Sequence, residues 1–337
     1  MKIGNSKKTY SLIFNQNNML EFDMDMVPKI ALVIGVGDGA CKALNYIYLN
    51  NDFNTIDFLA INTDKKALGN LDIPPMNQLL IGENTTKGVD CSTDPGLGEK
   101  SAKESSIAIK EHISKGYKII FILAAFGGGT GTGGSSIIAD LCRESGSLVI
   151  SIVSSPHKYE GELRQIQAIN GINSLCKSSD AVFLFPNDRI ISLQDFENCP
   201  ISFVASDLIF KTPIEIIMDM ISNQGYINID FDDLNSTLRG VNALTAIISG
   251  IGHGNERIAE ALRGMYASPY LSEIEINLSG RILVCFEYSL ESEISMNEMG
   301  DVIDSLQDKF GFNTEIVWGN CFNPKLSNQI RISAIIS

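Results

Sequence analysis

The glycine-rich run at residues 127–134, GGGTGTGG, constrains the fold more than any other feature of this sequence. It follows the apolar run Tyr117–Ala125, with Phe126 between them. Five glycines and two threonines in its first seven residues predict an irregular loop that is neither helix nor strand. Glycine lets the backbone approach a ligand closely, and threonine hydroxyls add donors that glycine lacks. The run therefore predicts a cradle for phosphate groups behind a buried strand.

Apolar runs and amphipathic segments alternate on both sides of this cradle. Further strands are predicted at Ile30–Ile34, Ile56–Ile61, Ser147–Val153 and Ala181–Phe185, and helices at Lys42–Leu49, Ser101–Ser114 and Ser135–Glu144. Such alternation is typical of a parallel sheet that is covered by helices on both faces. The first half of the chain is therefore predicted to be an α/β domain.

The pattern changes after about residue 203. Phe203–Ser222 is long and mostly apolar, which predicts a buried helix. Pro213 lies within it and costs roughly 3 kcal/mol in a helix interior, so the helix is expected to start late or to kink there. Later strands are predicted at Leu244–Ser249, Arg281–Tyr288, Thr314–Trp318 and Gln329–Ile336, with helices at Glu256–Tyr266 and Met296–Asp308. This mixed order predicts a second, smaller α+β domain.

Four segments follow from these patterns. We predict an N-terminal extension at 1–28, an α/β domain that carries the phosphate cradle at 29–202, a central helix at 203–226 and a C-terminal α+β domain at 227–337. The fold class is thus α/β, with a parallel-sheet domain that a long helix joins to a smaller α+β domain.

Composition excludes several classes of function. A formal net charge of −14 argues against nucleic acid as the main partner and against direct binding to anionic membranes. No apolar stretch approaches the roughly 20 residues that span a bilayer, and the N-terminus lacks a signal-peptide pattern, so we expect a cytoplasmic protein. Seven scattered cysteines without a CxxC pair and three distant histidines argue against a metal site built from these residues.

A second glycine turn, from Gly35 to Lys42, follows the first predicted strand. It satisfies the pattern GxGxxA, which also occurs in dinucleotide-binding folds, and Asp64 after the second strand could then bind a ribose. A purely structural turn is about as probable on this evidence alone. The Walker-type pattern GxxxxGK[ST] is absent from the sequence. Two cradles suit a nucleoside triphosphate better than a nicotinamide cofactor.

Further motifs occur in order around the two glycine turns. They are Ala60–Asp64, Asp94-Pro95 with Gly98, Ser155-Pro156, Tyr159–Gly161 with Arg164, Phe185–Arg189 and Asn228–Asp233. Together with GGGTGTG they resemble the bacterial tubulin/FtsZ family over residues 29–337, nearly the whole chain. The resemblance implies a tubulin/FtsZ-like fold and a protein that binds GTP or GDP with Mg²⁺.

Residue by residue, the resemblance implies nucleotide contacts at Gly37, Asp38, Gly39, Ala40, Cys41, Lys42, Asn62, Asp64, Cys91, Ser92, Gly128, Gly129, Thr130, Gly131, Thr132, Gly133, Glu160, Arg164, Asn187, Phe203 and Asp207. In it, Glu160 binds the ribose and Arg164 the phosphates. Phe203 stacks on guanine, while Asn187 and Asp207 bond its edge. One carboxylate can accept from both N1–H and the exocyclic amine of guanine, a pair that adenine lacks.

Asn228, Asp230 and Asp233 form an acidic turn before a predicted helix. Taken by itself, this pattern is equally consistent with aspartates that cap the helix. The family resemblance implies a catalytic role, in which these side chains meet the γ-phosphate of the neighbouring subunit and polarise the attacking water. The expected partner is therefore a second copy of this chain in a head-to-tail filament.

Some positions depart from the family pattern. Asp38, Ala40, Cys41 and Lys42 replace residues of a nearly all-glycine loop, and Asp90–Thr93 replaces a loop that senses the γ-phosphate. A second hypothesis is therefore a paralogue that hydrolyses GTP poorly and regulates or co-assembles with another FtsZ. The sequence ends at Ser337, directly after its last predicted strand, which favours a paralogue without the usual C-terminal tail.

Overall fold

The structure, a computed structural model, describes residues 28–190, 202–268, 271 and 280–337. At 189–190 and 202–207 it describes the backbone only. The predicted N-terminal extension lies outside the described residues up to residue 27. All elements below lie within the described ranges.

The first layer of the fold is a seven-stranded parallel sheet. Its strands are β1 (Ala31–Val36), β2 (Ile56–Asn62), β3 (Gln78–Leu80), β4 (Ile119–Ala125), β5 (Leu148–Ser155), β6 (Ala181–Pro186) and β7 (Ala243–Leu244). They lie in the order β3-β2-β1-β4-β5-β6-β7. All six residues of β1 are buried, because both faces of this sheet are covered. The predicted parallel α/β sheet is confirmed.

Helices cover both faces of this sheet. They are α1 (Asp38–Leu49), α2 (Lys65–Gly69), α3 (Pro95–Glu104), α4 (Ser106–Ile113), α5 (Gly129–Glu144), α6 (Glu162–Ser178) and α7 (Asn187–Ile190). Side chains of α3 to α6 pack on one face, against alternate strand residues such as Leu32 and Ile34. The other face, with Ala31 and Val33, packs against α1. This alternation follows from the two-residue period of a strand.

A four-stranded mixed sheet forms the core of the C-terminal half. Its elements are β8 (Ala246–His253), α10 (Arg257–Tyr266), β9 (Arg281–Tyr288), α11 (Met296–Phe310), β10 (Glu315–Phe322) and β11 (Gln329–Ile336). The strand order is β10-β9-β11-β8, with β9 and β10 parallel and β11 antiparallel to both of its neighbours. Helices α10 and α11 pack on one face of the sheet.

Two helices, α8 (Ser202–Ser222) and α9 (Phe231–Leu238), lie between the sheets. Their apolar side chains share one core with the first sheet and with Leu283 and Ile335 of the second. Arg331 of β11 contacts Asp219 of α8 at 2.6 Å and also pairs with the fully buried Glu287. The central helix is therefore held by both apolar and ionic contacts.

Several predicted boundaries are wrong. Helix α1 begins at Asp38 rather than Lys42, and the segment 101–114 forms two helices that meet at Ser105. Helix α8 runs through Pro213 and does not start late. The predicted strand Leu244–Ser249 divides between the two sheets, because β7 pairs with β6 while β8 pairs with β11. The domain boundary at 226 stays a prediction, although β7 beyond it belongs to the first sheet.

The glycine-rich run provides the largest correction. Residues Gly129–Gly134 form the first turns of α5 rather than an irregular loop. Helix α3 packs closely against this part of α5, and a Cβ atom at Gly133 would overlap the carbonyl oxygen of Pro95. A Cβ atom at Gly98 would likewise overlap the carbonyl oxygen of Gly129. These glycines therefore permit a close helix–helix approach, and that contact stabilises helical backbone despite its low intrinsic propensity.

No helix among the described residues is long and apolar enough to cross a membrane.

Candidate functional site

The two glycine turns meet at the carboxyl ends of β1 and β4. Gly37 follows β1 with a φ of 81°, and its N–H donates to the Ile61 carbonyl at 2.9 Å. A Cβ atom on Gly37 would lie 3.0 Å from the Gly131 nitrogen, and one on Gly131 would lie 2.8 Å from the Ala125 carbonyl oxygen. Side chains are thus excluded at both positions, which leaves backbone facing the space between them.

Helix α5 points its N-terminus into this space. The first N–H groups of a helix lack partners within it and carry the positive end of its dipole, so they favour a negatively charged ligand. Threonines fix the entry to the helix: Thr132 Oγ1 accepts from the Gly127 N–H at 2.9 Å, and Thr130 Oγ1 lies 2.9 Å from Thr63 Oγ1. These hydrogen bonds hold the backbone conformation at the position where a phosphate would bind.

A cavity of about 320 Å³ opens over these backbone groups. It is lined by Val36, Gly37, Asp38, Gly39, Asp90, Ser92, Ala125, Phe126, Gly128, Gly129, Thr130, Gly131, Ser154, Glu160, Arg164 and Asn187. The structure thus brings together eleven of the residues named from the sequence, from five separate turns. Sequence reasoning named Asp90 only as part of the Asp90–Thr93 loop and missed Ser154. Ser154 could have been found because it lies near the carboxyl end of a predicted parallel strand, where ligands bind in such sheets.

We expect Glu160 to bind the ribose and Arg164 the phosphates. In the structure these two side chains form an ion pair with each other. Arg164 Nη1 donates to Glu160 Oε2 at 2.7 Å, and the other carboxylate oxygen accepts from the His157 backbone N–H at 2.8 Å. They lie four residues apart across the start of α6. A ligand that takes a hydrogen bond from Arg164 would compete with Glu160 for it.

The first glycine turn divides into a lining part and a buried part. Asp38 lines the cavity and forms an ion pair with Lys42 at 2.8 Å, in which both side chains are half exposed or more. Lys42 lines an adjoining cavity of about 350 Å³ together with Asp64. Ala40 and Cys41 point into the core, where burial raises the pKa of the Cys41 thiol to about 12. The side chains of Ala40 and Cys41 therefore do not face the cavity.

Other predicted ligands lie just behind the lining. Asp64 caps α2 by accepting from the N–H groups of Lys66 and Ala67. Cys91 is buried, with its thiol 3.6 Å from Thr63 Oγ1. Thr132 and Gly133 face α6 and α3 rather than the cavity.

Asn62, at the carboxyl end of β2, is buried and incompletely bonded. Its Oδ1 accepts from the Thr63 N–H at 2.8 Å, whereas its Nδ2 has no partner in the described part of the protein. An unpaired buried donor is costly unless water or a ligand accepts from it. Phe203 and Asp207 lie in α8, but their side chains are outside the described residues.

The acidic turn has the geometry of a reciprocal helix cap. Asp230 Oδ1 accepts from the N–H groups of Asp232 and Asp233, and Asp233 Oδ2 accepts in return from the Asp230 N–H at 3.0 Å. Asn228 Oδ1 accepts from the Gly225 N–H at 2.7 Å. Capping of α9 is thus confirmed. Asn228 and Asp230 are also exposed and Asp233 is half-buried, so the cap leaves carboxylate oxygens open to solvent.

The acidic turn lies at the opposite end of the first sheet from the cavity. At the start of α9, the Phe231 ring lies 5.4 Å from Lys118 Nζ, directly before β4. At its end, Arg239 donates to the Ser147 carbonyl before β5 at 2.9 Å and contacts Asp180 before β6. Both anchors are at the amino ends of parallel strands, whereas the cavity is at their carboxyl ends. The length of the eight-residue β5 alone therefore puts roughly 25 Å between the acidic turn and the cavity.

The cavity fits a phosphate-bearing ligand. Two closely facing glycines, a helix N-terminus and the Arg164 guanidinium supply donors to it. No cluster of three His, Cys, Asp or Glu side chains suited to a metal occurs within the described ranges. Mg²⁺ in nucleotide sites is bound mainly by phosphate oxygens and water, with one or two carboxylates. The lining carboxylates that could hold it are Asp90, Asp38 and Glu160, of which Asp38 pairs with Lys42 and Glu160 with Arg164.

Comparison with known proteins gives two family matches. The model of the tubulin/FtsZ family GTPase domain matches residues 30–195, and the model of the FtsZ family C-terminal domain matches residues 243–337. Similar solved structures include an empty FtsZ dimer from M. jannaschii, with 25% identity and a TM-score of 0.79, covering 93% of this chain and 89% of that one.

Two further structures show the same fold at lower identity. A GTPγS-bound protofilament of CetZ2 from Haloferax volcanii is 18% identical with a TM-score of 0.74, covering 91% of this chain and 92% of that one. A GDP-bound monomer of CetZ1 from the same organism has the same identity and TM-score and covers 91% and 93% of the two chains.

Proposed function

We propose, from the premise that this chain belongs to the tubulin/FtsZ family, that it binds GTP in the cavity and assembles head-to-tail into filaments. In such a filament the acidic turn of one subunit completes the hydrolytic site of the next. The family match itself supports a cytoskeletal GTPase. We also propose that the protein has a cell-division type of role in the cytoplasm.

One observation carries this proposal: the phosphate cradle and the acidic turn lie at opposite ends of one rigid sheet. Gly131 lies at the carboxyl ends of the strands, and Asp230 directly precedes Phe231, whose ring lies beside Lys118 at their amino ends. A subunit cannot bring its own Asp230 to its own cavity across roughly 25 Å of sheet. A second copy stacked end to end would place these carboxylates over the open cavity.

Exposed apolar side chains flank both ends. Tyr159 and Leu163 are 83% and 64% exposed beside Glu160 and Arg164 of the cavity. Near the acidic turn, Tyr226, Leu290 and Met296 are 72%, 73% and 67% exposed. Exposed apolar side chains that lie together often mark protein–protein contacts, and stacking of two copies would remove those at both ends from water.

Binding and hydrolysis use different groups of the chain. Backbone N–H groups at Gly37 and the start of α5 bind the phosphates, and Arg164 adds a charged donor once Glu160 turns to the ribose. In the stacked pair, Asp230 and Asp233 accept hydrogen bonds from the attacking water and orient it toward the γ-phosphate. Mg²⁺, when bound, neutralises charge that develops on the phosphate oxygens.

Light scattering beside a phosphate-release assay tests this proposal. Both signals should need GTP rather than GDP, and phosphate release per subunit should rise steeply above a threshold protein concentration. Turnover that stays proportional to protein concentration, with no scattering increase, would contradict a site shared between subunits.

The second hypothesis, a hydrolysis-poor paralogue that regulates or co-assembles with another FtsZ, has one observation in its favour. Asp38 and Asp90 both line the cavity and add negative charge beside the phosphates. Lys42 forms an ion pair with Asp38 at 2.8 Å and offsets part of this negative charge. The offset is small, because an exposed ion pair is worth only about 0–1 kcal/mol of interaction free energy. GTP binding without turnover at any protein concentration would favour this hypothesis.

A further inference from the structure

One wall of the cavity is made by two loops from different parts of the chain. The first follows β5 and contains His157 and Glu160, and the second is the junction of β6 and α7 at Asn187. Helix α7 has only four residues, so its own hydrogen bonds hold Asn187 weakly. The position of Asn187 therefore depends also on the packing of α7 against α8 and, across the cavity wall, on its contact with the loop that follows β5.

His157 makes that contact. Its Nδ1 lies 2.5 Å from Asp188 Oδ1, and the same oxygen accepts from the Lys158 backbone N–H at 3.3 Å. The imidazole also stacks on Tyr159, with ring centroids 5.7 Å apart and an interplanar angle of 18°. Stacking fixes the plane of the ring, and the 2.5 Å approach sets the imidazole edge directly against the Asp188 carboxylate.

The contact is part of a network that crosses the wall of the cavity. Arg164 donates to Glu160, Glu160 accepts from the His157 backbone N–H, and the His157 ring contacts Asp188, the residue next to Asn187. The charged groups around the imidazole are therefore Asp188 from α7, Glu160 and Lys158 from its own loop, and Arg164 from α6. Movement of either loop changes the geometry of the other.

We propose that His157 is a positioning residue for base recognition: through Asp188 it fixes Asn187 where that amide meets the edge of the guanine. The inference rests on the proposed function, since it takes a guanine nucleotide as the ligand. Asn187 touches the base, whereas His157 acts only through Asp188. The loss of His157 should therefore reduce selectivity for guanine more than it reduces affinity for the triphosphate.

The test compares GTP with ATP as competitors of a fluorescent guanine nucleotide on the full chain. His157→Phe keeps an aromatic ring to stack on Tyr159 but removes the polar nitrogen that contacts Asp188. We expect its Kd for GTP to rise about fivefold, the effect of losing one polar contact, with little change for ATP. His157→Gln, which keeps a polar group of similar reach, should recover most of the lost selectivity.

A matched control is His253→Phe, which removes another histidine–carboxylate contact, His253 Nδ1 to Glu260 Oε2 at 2.8 Å, on the second sheet. It should leave both Kd values unchanged. Equal weakening of GTP and ATP in His157→Phe, or no weakening of either, would overturn the positioning role. If the unmodified protein fails to prefer GTP over ATP, the proposed function fails as well, which separates the two failures.

Discussion

The two ends of the first sheet use different chemistry to build their halves of the site. At the cavity end, Gly37 and Gly131 bring bare backbone together, and the expected ligand contacts are mainly N–H groups. At the acidic end, Asp230 and Asp233 hold each other through side-chain carboxylates. The cavity end should therefore be sensitive to added volume, and the acidic end to lost charge.

This difference means that binding and turnover can be separated by mutation. A backbone cradle binds a phosphate in one subunit without help from another. Carboxylates roughly 25 Å away contribute to turnover only when a second copy supplies them. Substitutions at the cavity end should therefore weaken nucleotide binding, whereas substitutions at the acidic end should reduce turnover alone.

Added volume at Gly133 should have the largest effect. A Cβ atom there would overlap the Pro95 carbonyl oxygen, which belongs to backbone and cannot rotate away. Gly133→Ala should therefore push α3 from α5, lower the free energy of unfolding by about 3 kcal/mol and abolish nucleotide binding. Thermal unfolding with and without GTP measures both effects.

Gly300→Ala is the matched control, because nothing lies within 4 Å of a Cβ atom at this position in α11. It should stabilise the protein by about 0.5–1 kcal/mol, since alanine has the higher helix propensity. An equally benign Gly133→Ala would show that the contact between α3 and α5 does not shape the cavity.

The same glycines show what the sequence could and could not predict. The order of strands and helices follows from apolar runs and their spacing, and Arg281–Tyr288 and Gln329–Ile336 are predicted to the residue. The helical start of α5 is not predictable from composition. It depends on the approach of α3, a contact between segments about 35 positions apart.

Site residues divide in a similar way. Residues at strand ends, such as Gly37 and Asn187, reach the cavity because parallel strands end at one edge. The inward rotation of Cys41 could not be predicted, because it depends on where α1 begins, and the structure places that start at Asp38. Helix boundaries thus decide which side chains face the cavity.

Loss of charge without loss of volume should have the next largest effect. Asp230→Asn retains an oxygen that can cap α9, because asparagine caps as well as aspartate does. Its thermal stability and GTP affinity should match those of the unmodified protein. Turnover in the assembled state should fall about 100-fold, or about 2.7 kcal/mol, if the carboxylate orients water.

Asp232→Asn is the control for Asp230→Asn. Asp232 is exposed in the same turn, but only its backbone N–H takes part in the cap. Its turnover should stay within about twofold. Unchanged turnover in Asp230→Asn would show that Asp230 acts only as a helix cap and takes no part in hydrolysis.

The smallest expected effect is a pH dependence of the free energy of unfolding, and it arises near the acidic end of the sheet. Arg257 donates to Glu298, and this hydrogen bond lowers the pKa of the Glu298 carboxyl from its ordinary 4.5 to about 2. Arg257 also donates to the carbonyl groups of Ser292 and Glu293, in the turn that Tyr226 contacts. The pair therefore supports the surface beside the acidic turn.

A carboxyl whose pKa is lowered on folding stabilises the protein above its unfolded pKa, and the stabilisation disappears as the pH falls toward the folded value. Glu298→Gln should therefore be less stable than the unmodified protein by about 1 kcal/mol at pH 7, a figure reduced for partial solvent screening. The difference should shrink between pH 4.5 and pH 2. Glu315→Gln, which breaks the more exposed pair with Arg281, should show a smaller difference in unfolding curves at each pH. A Glu298→Gln deficit that persists at pH 2 would mean that packing, rather than charge, holds this turn beside the acidic end.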